Sequence, residues 1–342
     1  MARFLDGVLT MKRFLLALPL AVLCGACASS SVNGQDAPFP ANAPMDANTA
    51  PLILTSAPVP LDPGQQIERG IWRQEVVLRE KNDAPRVWVY RPQAALAPKP
   101  GQKFPCVFIA PAGTTVTSGQ ALEDDARDTH LPYARAGMIV VAYELGGLAR
   151  DRVEAAREFQ RVNMGLVNAH HAISYALRHV AGVDPTRLYA VGHSSAGTAA
   201  LQLAQHDKRI RACVAFAPAC NFSFPEAGGG VFQNAANVEP KLPGFTAYLG
   251  RMMPQTNVAR IHCPLFLFSA DNDNVVSGAE VQGFAQAAQS AGVKLTFLRV
   301  PSGGHVGAMK SQGIDAAIQW LQALPPAPKT HRVQIAQNDD GE

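Results

Sequence analysis

A hydroxyl or thiol that attacks a carbonyl needs a base to take its proton, and the base needs an acid to hold it in place. All three residue types occur here in short turns that follow apolar runs. The run Arg187-Leu-Tyr-Ala-Val191 leads into Gly192-His193-Ser194-Ser195-Ala196-Gly197 and then into a helical stretch of small residues to His206. A strand, a tight turn of small residues and a helix would lift a serine oxygen clear of a sheet and set it beside a helix N-terminus. Either Ser194, with Gly192 two residues before it, or Ser195, with Gly197 two residues after it, fits that turn; the bland alternative is a Ser/Gly turn that only caps a helix.

Acids and a base follow in the same kind of setting. Pro264-Leu-Phe-Leu-Phe-Ser269 is followed by Ala270-Asp271-Asn272-Asp273-Asn274-Val275-Val276, which offers Asp273 or Asp271. After Lys294–Val300 comes Pro301-Ser302-Gly303-Gly304-His305, and of the nine histidines only His305 sits in a post-strand loop late in the chain. His170 and His171 are adjacent on a predicted helix and diverge by about 100°, so a joint metal site is not expected. No H-E-x-x-H, phosphate loop or G-x-G-x-x-G occurs, and the one C-x-x-C, Cys24 to Cys27, has no partners. Neither metal nor cofactor is expected.

These residues need a frame. Between 65 and 324 the hydrophobic rhythm alternates between strand and helix. Ile71–Leu78 and Arg86–Tyr90 alternate apolar with polar, as half-buried antiparallel strands do. Cys106–Ala110 and Met138–Tyr143 are continuous apolar runs, as parallel strands buried on both faces are. Val162, Leu166, Ala169, Ile173, Ala176 and Val180 lie on one face of a long predicted helix. With strands at Arg187–Val191, Ala212–Phe216, Pro264–Ser269 and Lys294–Val300, the pattern predicts an α/β fold with a mostly parallel sheet covered on both faces. Reactive groups should then gather at the carboxyl ends of the strands, where the serine, aspartate and histidine turns fall.

The order serine, acid, histidine on such a frame resembles the α/β-hydrolase superfamily. The stretch from Val183-Asp-Pro-Thr-Arg-Leu188 to Ala217-Pro218, together with Tyr133 to Tyr143, is similar to the dienelactone hydrolase and prolyl oligopeptidase catalytic domains. The resemblance covers about residues 70 to 323. It implies an eight-stranded sheet, Ser194 as nucleophile, Asp273 as the acid and His305 as the base. It also implies an oxyanion hole made by the backbone N–H of Ser195 and one from the loop after Cys106–Ala110, Thr114 with Gly113 as the alternative. The usual second glycine of the elbow is Ala196, and His193 is expected to pack. Hydrolysis of a small-molecule ester is expected before that of a peptide or amide; a non-catalytic binding protein on the same fold is the rival from another class.

An insert at about 218–262 is expected to act as a lid, with Phe222, Phe224 and Phe232 contacting substrate and Phe245, Tyr248, Met252 and Met253 near them; the alternative is that these residues fill a satellite core. With 30 Lys+Arg against 27 Asp+Glu the net charge is +3, and no basic block points to nucleic acid. Met11-Lys12-Arg13, the apolar run Phe14–Leu23 and the small residues around Cys27 have the layout of a secretory signal over 1–28, with Gly25-Ala26-Cys27 similar to the end of a bacterial lipobox. Residues 29–64 then read as a Pro/Ala-rich tether and 325–342 as a loose tail. A periplasmic or lipid-anchored protein is expected. Cys106, Cys213, Cys220 and Cys263 remain in the body, either as buried thiols or with Cys213 and Cys263 joined.

Overall fold

A computed structural model describes residues 58–78, 85–123, 127–221 and 230–325. The leader, most of the tether, the tail, Phe222 and Phe224 lie outside the described residues.

Ten strands form one open sheet among the described residues. They are β1 (Val59–Pro60), β2 (Gln65–Glu68), β3 (Ile71–Val77), β4 (Arg86–Pro92), β5 (Phe104–Ile109), β6 (Ile139–Tyr143), β7 (Val183–His193), β8 (Ile210–Phe216), β9 (Leu265–Ala270) and β10 (Leu295–Val300). The order is β1-β3-β4-β6-β5-β7-β8-β9-β10, with β2 also on β3. The first four strands pair antiparallel; from β6 to β10 every neighbour is parallel. The eight expected strands are β3 to β10. The two extra ones are short edge pieces, and β1 lies inside the stretch read as tether, where Leu61 N–H donates to Glu75 O at 2.9 Å and Asp62 Oδ1 accepts from Gly64 N–H at 2.7 Å.

The helices are α1 (Arg127–Arg135), α2 (Arg152–Arg161), α3 (Leu166–His179), α4 (Ser195–His206), α5 (Gly230–Val238), α6 (Phe245–Met252), α7 (Gly278–Ser290) and α8 (Ile314–Gln322). Residues alternate between the faces of the central strands. Leu188 and Ala190 enter the core shared with α3, α4 and α7, whereas Tyr189 and Val191 enter the one shared with α1 and α8. A strand buried on both sides must be apolar throughout, which explains the continuous runs. The predicted helix from Val162 to Val180 is in fact interrupted: Asn163, Met164 and Gly165 have φ of 52°, 54° and 87°, so α2 ends and α3 starts afresh. Cys106, Cys213, Cys220 and Cys263 are buried free thiols. Burial raises the Cys213 thiol far above its ordinary range and that of Cys263 to about 12, so both are protonated and inert.

Candidate active site

The turn between β7 and α4 holds Ser194 at φ 57°, ψ −126°, a region that residues with a Cβ rarely enter. Phe216 O at the end of β8 accepts the Ser194 N–H at 2.9 Å, and Ser194 O accepts the Thr198 N–H at 3.0 Å as the first bond of α4. A Cβ on Gly192 would collide with the Ala196 carbonyl; that crowding is why the position two before Ser194 carries none. One at Gly197 would stand 3.1 Å from Pro218 Cβ, so it is the neighbour of Ala196 that gives the helix room.

Asp273 and His305 come together from turns after β9 and β10. His305 Nδ1 lies 2.7 Å from Asp273 Oδ2, and Asp273 Oδ1 accepts the N–H groups of Val275 and Val276 at 2.8 and 3.0 Å. Burial pushes the Asp273 carboxyl up, but the His305 bond and the two amides outweigh it and hold the group below the usual carboxylate range. Asp273 is therefore a carboxylate that accepts Nδ1–H, leaving His305 Nε2 as the nitrogen able to take a proton. Asp271 pairs instead with Arg299 on β10 at the surface.

Two residues without a catalytic assignment hold the histidine turn. Asn272 Oδ1 accepts the Gly304 N–H at 2.8 Å. His193 Nε2 is 3.0 Å from His305 O, and the two imidazole rings are 4.4 Å apart between centroids. Since a carbonyl only accepts, Nε2 carries the proton. Burial, followed by the neighbouring His305 ring, lowers the His193 pKa to about 4, so it stays neutral beside His305.

The loop after β5 meets the first residue of α4. Gly113 N–H and Thr114 N–H donate to Ser195 Oγ at 3.1 and 3.2 Å, so both amides expected at an oxyanion face the Ser195 side chain. Thr114 Oγ1 accepts the Val116 N–H at 3.1 Å, the Thr115 and Thr117 hydroxyls are 2.7 Å apart, and buried Val116 sits at φ 61°.

A cleft of about 260 Å³ borders the elbow, lined by Pro111, Ala112, Tyr133, His193, Val306 and Lys310 among others. A second hollow of about 450 Å³ lies between residues 115–121 and α5, with Arg150, Arg152, Asn234 and Asn237 in its walls. Phe232 on α5 is 53% exposed and lines neither. Phe245, Tyr248 and Met253 are buried in the core on the α4 face. No group of three or more His, Cys, Asp or Glu among the described residues could hold a metal ion.

Solved structures share this architecture. An acetyl xylan esterase from Paenibacillus sp. R4 matches with a TM-score of 0.60 at 16% identity, over 82% of this chain and 91% of that one. A Klebsiella pneumoniae protein assigned to the dienelactone hydrolases matches at 0.53 and 16%, over 74% and 99%. An acylaminoacyl peptidase solved with a chloromethyl ketone matches at 0.57 and 15%, over 73% of this chain, which spans only 40% of the peptidase's length. The fold is that of the α/β-hydrolase superfamily. No curated protein matches the chain. The sequence model of the dienelactone hydrolase family matches residues 93–319, and the chain belongs to that family.

Proposed function

We propose that the chain is a serine hydrolase that cleaves small carboxylic esters through an acyl-enzyme, with Ser194 as nucleophile, His305 as general base and Asp273 as the acid that orients it. The contact of 2.7 Å between His305 Nδ1 and a carboxylate carries the reading. It fixes the tautomer that leaves Nε2 free to accept the Ser194 proton, and the His193 bond to His305 O ties that turn to the residue preceding Ser194. Attack forms the bond from Ser194 Oγ to the carbonyl carbon as the proton passes to His305. The imidazolium, balanced by Asp273, then protonates the leaving alcohol, and water activated by the same ring releases the acid.

The extent of the likeness favours an ester over a peptide: it spans 91% of the acetyl xylan esterase but 40% of the peptidase. We further propose export through the leader within 1–28, cleaved after Ala28 to release a periplasmic protein or before Cys27 to leave that residue lipid-anchored; cell fractionation and mass spectrometry of the mature N-terminus test this. Among the described residues no helix is long and apolar enough to cross a membrane.

A fluorophosphonate probe tests the chemistry. Wild type and Ser195→Ala should label and Ser194→Ala should not; labelling that persists in Ser194→Ala but vanishes in Ser195→Ala moves the nucleophile to Ser195. Hydrolysis of p-nitrophenyl acetate should exceed that of aminoacyl p-nitroanilides. The reverse preference turns the assignment to an amidase, and absence of both activities and of labelling leaves a binding protein.

A further inference from the structure

We propose that the second donor to the oxyanion is the side-chain hydroxyl of Ser195, held by the Gly113 and Thr114 amides, rather than either amide itself. The proposal rests on the serine hydrolase reading and names a catalytic group that reading lacks.

The argument starts from hydrogen-bond capacity. A hydroxyl has two lone pairs and one proton to give. Both lone pairs of Ser195 Oγ are taken, by Gly113 N–H at 3.1 Å and Thr114 N–H at 3.2 Å. It can accept nothing more, and its own proton is the capacity left over. An N–H has one hydrogen, so amides turned to Ser195 Oγ are poorly placed to serve an oxyanion as well. Accepting two bonds polarises the hydroxyl and makes it a stronger donor. The loop's amides would then act through Ser195.

Position supports the same conclusion. Ser195 follows Ser194 directly and is the first residue of α4, where the backbone N–H has no partner within the helix. Its N–H and its O–H, on one residue, can address the same oxygen. Ser195 is buried, which strengthens any bond it makes there. The loop behind it is fixed: Thr114 Oγ1 holds the Val116 N–H, Gly119 N–H donates to Gly147 O at 3.0 Å, and Val116 keeps a φ of 61° that a β-branched residue adopts only when its surroundings impose it. A donor oriented before the reaction needs no reorganisation during it.

In the step itself, Ser194 Oγ bonds to the carbonyl carbon, its proton moves to His305 Nε2, and the carbonyl π pair moves onto oxygen. Ser195 N–H and Oγ–H donate to that oxygen. On collapse the pair returns, the bond to the leaving oxygen breaks, and that oxygen takes the proton from His305.

The test compares Ser195→Ala, Ser195→Thr and Ser195→Cys with wild type on p-nitrophenyl acetate, together with inhibition by a trifluoromethyl ketone, whose adduct carries the oxyanion. Ser195→Ala should lower kcat about 100-fold with KM changed less than about twofold, and should weaken the ketone by a comparable factor. Ser195→Thr, which keeps the hydroxyl, should recover most of both. Should Ser195→Ala fail to fold, Ser195→Cys, a similar shape with a weak donor, must show the same kcat and ketone losses. Unchanged kcat in a folded Ser195→Ala overturns the proposal and leaves the esterase reading standing; a raised kcat overturns it too, since the hydroxyl would then be obstructing the amides. Wild type without hydrolysis or labelling overturns both.

Discussion

At the scale of single residues, Ser194 sits where stability and reactivity conflict. Its φ of 57° with ψ of −126° is a conformation open to glycine and costly to residues with a Cβ. Ser194→Gly should therefore abolish hydrolysis and raise the free energy of unfolding by about 1 kcal/mol, read from urea denaturation; a variant less stable than wild type would show that the turn carries no strain. The two candidate acids separate as clearly. Asp273 holds the imidazole through a 2.7 Å bond and accepts two backbone amides, so Asp273→Asn should favour the wrong histidine tautomer and lower kcat by about 10⁴-fold. Asp271 forms an exposed pair with Arg299, and such pairs contribute about 0–1 kcal/mol, so Asp271→Asn should leave kcat within about threefold of wild type. Equal losses in both would remove Asp273 from its assigned role.

At the scale of elements, the geometry of the proposed active site depends on how closely α4 approaches the end of β7. Gly192 has no space for a methyl group because the Ala196 carbonyl occupies it. Gly192→Ala should cost about 1–3 kcal/mol of stability, as forced overpacking does, and lower activity as well, whereas Ala196→Gly should keep activity; a Gly192→Ala protein as stable and active as wild type would contradict the close packing. This junction could be read from sequence because strand, small-residue turn and helix are contiguous. The same holds for the turns that carry Asp273 and His305. The elements missed were those with weak patterns. β1 and β2 are two and four residues long. Helix α1 contains Pro132, and α2, Arg-Val-Glu-Ala-Ala-Arg-Glu-Phe-Gln-Arg, buries only Ala155, Ala156 and Phe159. Long-range partners leave no spacing to read: Gly113 meets Ser195 across 82 residues and His193 meets His305 across 112. The choice of Ser195 Oγ by the loop amides, and of the His305 carbonyl by His193, is made only when β5, β7 and the last turn are assembled at one end of the sheet.

For the whole molecule, a sheet covered on both faces places several histidines wholly or largely away from water. Burial lowers His130 to a pKa of about 3 and His170, His193 and His206 to about 4. In the unfolded chain each returns toward the ordinary value of about 6.5. As pH falls below that value the unfolded state binds protons that the folded state refuses, so folding loses stability. The contribution is fully present above about pH 6.5 and is lost progressively toward pH 4. Carboxylates held below their ordinary range, Asp273 and Asp207 among them, act lower, losing their contribution only as pH falls through the acidic range below about 4. The window between pH 6.5 and 4 is thus dominated by histidine. Urea midpoints should be nearly flat from pH 8 to 7 and then fall with each step from 6.5 to 4.5. Replacing His206, which stands at the end of α4 apart from Ser194, Asp273 and His305, by Gln should make that fall shallower. A midpoint that is constant or rises over the acidic steps would mean that these imidazoles gain protons as readily folded as unfolded.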